Sequence, residues 1–145
     1  MKAVVQRVQD AQVTVNNKVI GRIDKGMLIY LGIEVDDTET MLLQFSEKIL
    51  KFRMFPDENQ KMNLNLKQVN GSVLLVSQFT LCADLKKGNR PSFNPAAAPE
   101  KANDFYEKLI VLIKKHGVEV QTGEFGADMK VNYQNNGPET FIFEL

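Results

Sequence analysis

At 145 residues the chain has the size of one domain and enough length for a proper core. It is 43% hydrophobic and 25% charged, and 18 Lys and Arg balance 18 Asp and Glu. That balance argues against a general nucleic-acid coat protein and leaves room for a local basic site. Gln6, Arg7, Gln9, Asp10 and Gln12 interrupt the N-terminal apolar residues, so no signal peptide is expected there. No apolar run approaches the roughly 18 residues needed to span a bilayer. Cys82 is the one cysteine, which excludes an internal disulfide and fits the cytoplasm. With His116 as the one histidine, the usual zinc ligand sets are out of reach, and neither metal nor cofactor is expected.

Residues 2–15 read as a strand, although Val4, Arg7 and Val8 break strict alternation. Asn16-Asn17 is a tight turn into a second strand over 18–23. Asp24-Lys25-Gly26 reads as another turn. MLIYLGIEV, 27–35, is nearly all apolar, so it predicts a central strand covered on both faces. Asp36 and Glu39 form a capping-box pattern for a helix reaching residue 52, with Met41, Leu42, Phe45, Ile49 and Phe52 at helical spacing. The polar stretch 56–71 reads as a loop, and VLLVSQFTL, 73–81, as a second buried strand.

CADLKKGNRPSFNPAAAP follows, longer than the connections usual in compact domains. Pro99 opens the clearest helix, whose apolar stripe includes Phe105, Tyr106, Leu109, Ile110 and Ile113. Gly117 stops it, after basic residues that suit the negative end of the helix dipole. Strands over about 118–122, 127–134 and 139–145 complete the order β-β-β-α-β-α-β-β-β, one α+β domain over 1–145.

Chemistry must come from an unusual source. His116 sits among lysines at a helix end, so no Ser-His-Asp triad is available. Cys82 follows an apolar strand and reads as a packing residue. No Gly-rich nucleotide loop is present. Ser77, Gln78 and Thr80, by contrast, end an otherwise apolar run. Burying such groups costs roughly 1–3 kcal/mol unless they are paired. Pairing with neighbouring backbone and a functional role fit the pattern equally. Lys86, Lys87 and Arg90 surround Gly88, as in a solvated charged loop or a grip on the end of an RNA strand. In NNGPET, 135–140, Gly137 precedes Pro138, which fits a plain turn or a device that aims two carbonyls.

Together SQFTL at 77–81, KKGNRPSF at 86–93, TGEFGADMKV at 122–131 and NNGPET at 135–140 resemble the D-aminoacyl-tRNA deacylases. The opening MKAVVQRV fits too, and the resemblance covers the whole chain. One departure is Glu139, where family members more often carry an apolar residue such as valine. That leaves fine substrate preference open.

The resemblance implies a homodimer of barrel-like β-sheets flanked by helices. It implies hydrolysis of the ester joining a D-amino acid to the terminal adenosine of tRNA. It also implies a cis bond between Gly137 and Pro138, with parallel carbonyls entering the partner subunit's pocket. Two rigid carbonyls can bind the substrate's amino group and crowd the place of an L side chain. An achiral glycyl ester would escape this filter, so glycyl-tRNA is an expected substrate. Amides near Ser77, Gln78 and Phe79 suit an oxyanion, and the ribose 2′-hydroxyl can assist. The competing scheme makes Thr80 a covalent nucleophile, although no base is in sight to activate it. Phe125 suits stacking on the terminal adenine or core packing. Arg7 suits charge-assisted bonds to the Gly-Pro loop or a plain surface position. The rivals are a non-catalytic RNA-end-binding module and an esterase for small D-amino-acid esters.

Overall fold

The computed structural model describes residues 1–86 and 88–145. Lys87, one of the three basic residues expected to grip RNA, lies outside the described residues. Strands β1 (Lys2–Val15) and β2 (Lys18–Gly32) form a long antiparallel hairpin. Asn16 and Asn17 join them at φ 48° and 62°, a left-handed conformation that asparagine tolerates. Helix α1 (Glu39–Lys51) follows, then a small hairpin of β3 (Phe55–Pro56) and β4 (Met62–Leu64) inside the stretch expected to be a plain loop. Next come β5 (Ser72–Ser77), a tight 3-10 turn (Phe79–Cys82), α2 (Pro99–Lys115), β6 (Val120–Thr122) and β7 (Lys130–Glu144).

The main sheet runs β6-β5-β2-β1-β7. β5 lies parallel to both β2 and β6, whereas β1 is antiparallel to β2 and β7. The α+β class, the two main helices and the mixed sheet agree with expectation. Among the described residues the sheet is open, with β6 and β7 at its edges, so no closed barrel is seen to match the barrel-like form that the resemblance implies.

Both faces of the sheet centre are covered, which accounts for the unbroken apolar run in β2. On one face Val5, Met27, Ile29, Leu31, Val73 and Leu75 meet Leu42, Phe45 and Ile49 of α1 and Phe105, Leu109 and Ile113 of α2. On the other, Val8, Ala11, Val13, Leu28, Leu74 and Val76 form a smaller core. An irregularity at Asp10, φ 48°, keeps Val8 and then Ala11, Val13 and Val15 turned the same way. That is why β1 departs from strict alternation.

Three boundaries differ from expectation. The strands over 18–23 and 27–35 are one strand, because Gly26 lets the Ser72 backbone pack against it where a turn was expected. The segments expected over 127–134 and 139–145 likewise merge into one strand, β7, which runs only from Lys130 to Glu144. The strand expected over 73–81 ends at Ser77; Leu81 then donates to the Gln78 carbonyl and Ala83 to that of Thr80. Strand periodicity therefore does not govern Gln78 and Thr80.

The α1 cap is Thr38, whose hydroxyl accepts from the Met41 amide at 3.3 Å, rather than Asp36. Neighbouring Asp37 is buried and accepts from the Met1 ammonium and, at 2.7 Å, from the Glu34 amide. The ammonium also donates to the Leu145 carbonyl at 3.1 Å, which ties the first residue of the chain to the last beside the β1–β7 pairing. No helix among the described residues is long and apolar enough to cross a membrane.

Candidate active site

Most of the expected site residues fall into two groups that a single chain does not bring together, with Thr80, Lys86 and Arg90 in neither. The first lines a cleft of about 640 Å³. Ser77 ends β5 at its floor, and Gln78 and Phe79 follow. Gln78 is held by its own amide, which donates to the Leu31 carbonyl at 2.8 Å. That amide is therefore taken up by the β2 backbone. The Phe79 ring is 53% exposed and leans edge-on against Phe93 at 4.9 Å between centroids. The two rings flank the cleft. Phe125 lines it as well, half-buried and tilted against Tyr106 at 6.2 Å. Thr80 is exposed and is not one of the described residues lining the cleft.

Tyr30, Ala96, Ala97, Pro99, Ala102 and Met129 also border the cleft. Tyr30 carries a sequence signal in retrospect, as the one hydroxyl in the run 27–35. Burial, and then the neighbouring Tyr133, pushes its phenol up to about 12, so it is a neutral hydrogen-bonding group near neutral pH. The alanines carry no such signal, since small apolar residues mark any packed corner.

The second group lies on the β1–β7 border. β1 and β7 pair at Gln6 with Thr140 and again at Val8 with Asn135, five residue steps on β7 against two on β1. The excess residues bulge outward and carry the exposed Gly137 and Pro138, joined by a cis peptide bond. Arg7 stands opposite the bulge. Its Nε donates to the Asn136 carbonyl at 2.8 Å and its Nη1 to that of Met54 at 3.0 Å. Its Nη2 lies 2.9 Å from Glu139 Oε2. The Asn135 side-chain amide donates to the Arg7 carbonyl at 3.0 Å and to the Glu139 carbonyl at 3.2 Å, closing the base of the bulge. Thr140 donates its hydroxyl to the Pro138 carbonyl at 3.2 Å. Asn135 was legible only as the first residue of NNGPET.

Lys86 and Arg90 are exposed on the loop before α2, where the Lys86 amide donates to the Asp84 carboxylate at 2.9 Å. Cys82 is fully buried, 3.6 Å from the Ile33 carbonyl, and burial pushes its thiol up. It is a packing residue. Among the described residues no cluster of three or more His, Cys, Asp or Glu suits a metal ion.

Residues 4–144 match the family described as D-Tyr-tRNA(Tyr) deacylase. The chain belongs to that family. Curated relatives named "D-aminoacyl-tRNA deacylase" from Shewanella baltica (strain OS155 / ATCC BAA-1091) and Alteromonas mediterranea are 51% and 49% identical, each aligned over all of both chains. The family is thus one of enzymes, and the match runs through both the cleft and the bulge. A solved structure named "c-Myc DNA Unwinding Element Binding Protein" superposes with a TM-score of 0.94 at 40% identity, covering 100% of this chain and 99% of that one. Another, named "Structural Analysis of a probable eukaryotic D-amino acid tRNA deacylase", reaches 0.86 at 18% identity, covering 99% of this chain and 98% of that one, and shows the shared fold.

Proposed function

We propose that the chain, acting as one domain over 1–145, hydrolyses the ester bond of D-aminoacyl-tRNA and releases the free D-amino acid. The observation that carries this reading is the full-length identity of about half with relatives of that name, spanning cleft and bulge alike. The separation of the two groups supports a homodimer. An exposed bulge on one copy and an open cleft on another complete each other, whereas neither forms a site alone. In that arrangement the Gly137 and Pro138 carbonyls enter the partner subunit's cleft and take the substrate's amino group.

Handedness then follows from shape. D and L esters exchange hydrogen and side chain at Cα, so main-chain atoms fixed by Arg7 reject the wrong one by collision. A thousandfold preference needs roughly 4 kcal/mol, within reach of one severe overlap. Glycyl-tRNA lacks the side chain and passes. The Phe79 amide supports the tetrahedral oxyanion, and the ribose 2′-hydroxyl assists attack on an ester that is already reactive. The exposed position of Thr80 disfavours a covalent step. Phe125 offers a face to the terminal adenine, and Lys86, Lys87 and Arg90 hold tRNA phosphates. The cytoplasm, where charged tRNA is used, is the matching compartment.

The test is a paired assay on D-tyrosyl-, L-tyrosyl- and glycyl-tRNA. D-Tyrosyl- and glycyl-tRNA should be cleaved and L-tyrosyl-tRNA spared. Failure on D-tyrosyl-tRNA ends the reading. A nucleic-acid-binding module without turnover is the second reading, supported by the 40% identity to a structure named as a DNA unwinding element binding protein. Tight binding of the same tRNAs with no amino acid released would establish it instead. A plain esterase for small D-amino-acid esters would remain active once the RNA is removed.

A further inference from the structure

In the reading above, the bulge carbonyls receive a cation, the substrate's α-ammonium. Yet the nearest ionised group from β1 is another cation, Arg7, anchored to the Asn136 carbonyl at 2.8 Å. From β2, Lys25 lines the same small pocket of about 150 Å³ as Arg7 and Asn136. Arg7 therefore stands at the base of a bulge that is to receive another cation, and uncompensated it would oppose binding. From β7, Glu139 supplies the opposing charge. Its Oε2 lies 2.9 Å from Arg7 Nη2. That oxygen is shielded from solvent and has no well-aligned donor, so the interaction is one of charge more than of direction. The carboxylate also folds back over Gly137, filling the space where a methyl group at that position would stand. It thus lies inside the bulge rather than out in solvent.

We infer that Glu139 sets affinity for the substrate's α-ammonium by neutralising Arg7 at the base of the bulge that carries the Gly137 and Pro138 carbonyls. It acts through Arg7 as a positioning and specificity residue and takes no part in bond breaking. This rests on the proposed deacylase reading and goes beyond it. A purely mechanical brace would matter equally for charged and uncharged amines. A charge-balancing group matters only while the amine carries its proton.

The experiment is steady-state hydrolysis of D-tyrosyl-tRNA by wild type, Glu139→Gln and Glu139→Val. At about pH 6.5, KM should rise about tenfold in both variants, with kcat within about twofold. At about pH 8.5, above the usual α-amine range of roughly 7.7–8.0, the KM ratio should close to about twofold. Thermal melting of each variant establishes that the chain is folded. A KM ratio that is the same at both pH values, or no change at the lower one, overturns the inference. Wild type inert on D-tyrosyl-tRNA overturns the underlying deacylase reading, and the inference with it.

Discussion

Gly137 has no room for a side chain. A methyl group there would overlap the Glu139 carboxylate and its backbone amide, so the bulge would have to shift. Because the Glu139 amide nitrogen that this methyl would meet is backbone and cannot turn aside, Gly137→Ala should cost about 1–2 kcal/mol in thermal melting, too little to unfold the chain. Its effect belongs to positioning: turnover of D-aminoacyl-tRNA should fall at least about a hundredfold, measured in single-turnover assays. Thr80→Ala should behave in the opposite way, keeping turnover within about tenfold. A loss of several orders of magnitude with tRNA binding retained would make Thr80 the nucleophile after all. Arg7 shows what a sequence discloses at this scale and what it withholds. Its residue type suggested bonds to carbonyls. Which carbonyls, and the Glu139 carboxylate as a third partner, depend on segments 47 and at least 129 residues away, and no local pattern records that.

Among the elements, the two helices were the most legible, because apolar residues at helical spacing and the stop at Gly117 (φ 76°) are local signals. The long strands were less so. Glycine at 26 and glycine before proline at 137 are turn signals in most contexts, and here both lie within strands. In β2 the reason is close packing: a methyl at Gly26 would collide with the Ser72 carbonyl and lie 2.7 Å from its amide nitrogen. Gly26→Ala should therefore push β2 and β5 apart and cost about 2–3 kcal/mol, read as a melting-temperature drop of ~5–10 °C. Unchanged melting would mean that the pairing of β5 is looser than its register suggests. Helix α2 is fastened to the same strand by Tyr106, whose hydroxyl donates to the Leu75 carbonyl at 2.8 Å in the core. Tyr106→Phe should cost about 0.5–1 kcal/mol in urea unfolding, since the carbonyl loses one of its two donors and keeps the Gly123 amide at 3.0 Å.

For the whole molecule, alkaline pH offers a clean probe. The chain has three tyrosines. Burial raises Tyr106, and burial followed by Tyr133 raises Tyr30 to about 12, against an ordinary value of 10.0. A raised phenol contributes stability that is whole below pH 10.0 and declines as pH climbs through the folded-state value. Absorbance near 295 nm at about pH 11 should accordingly show far less phenolate in the native protein than in the urea-unfolded chain. Equal signals would mean that both rings are open to water. The same global view bears on the outermost strand. β7 is 15 residues long and forms one border of the sheet. Unpaired borders of that length template the addition of further chains and, repeated, the growth of fibrils. Pro138 presents no N–H, and the outward loop around it breaks the hydrogen-bonding line, so a neighbouring chain finds no continuous rail to zip onto. The segment proposed to judge chirality thereby also protects the protein from self-templated aggregation.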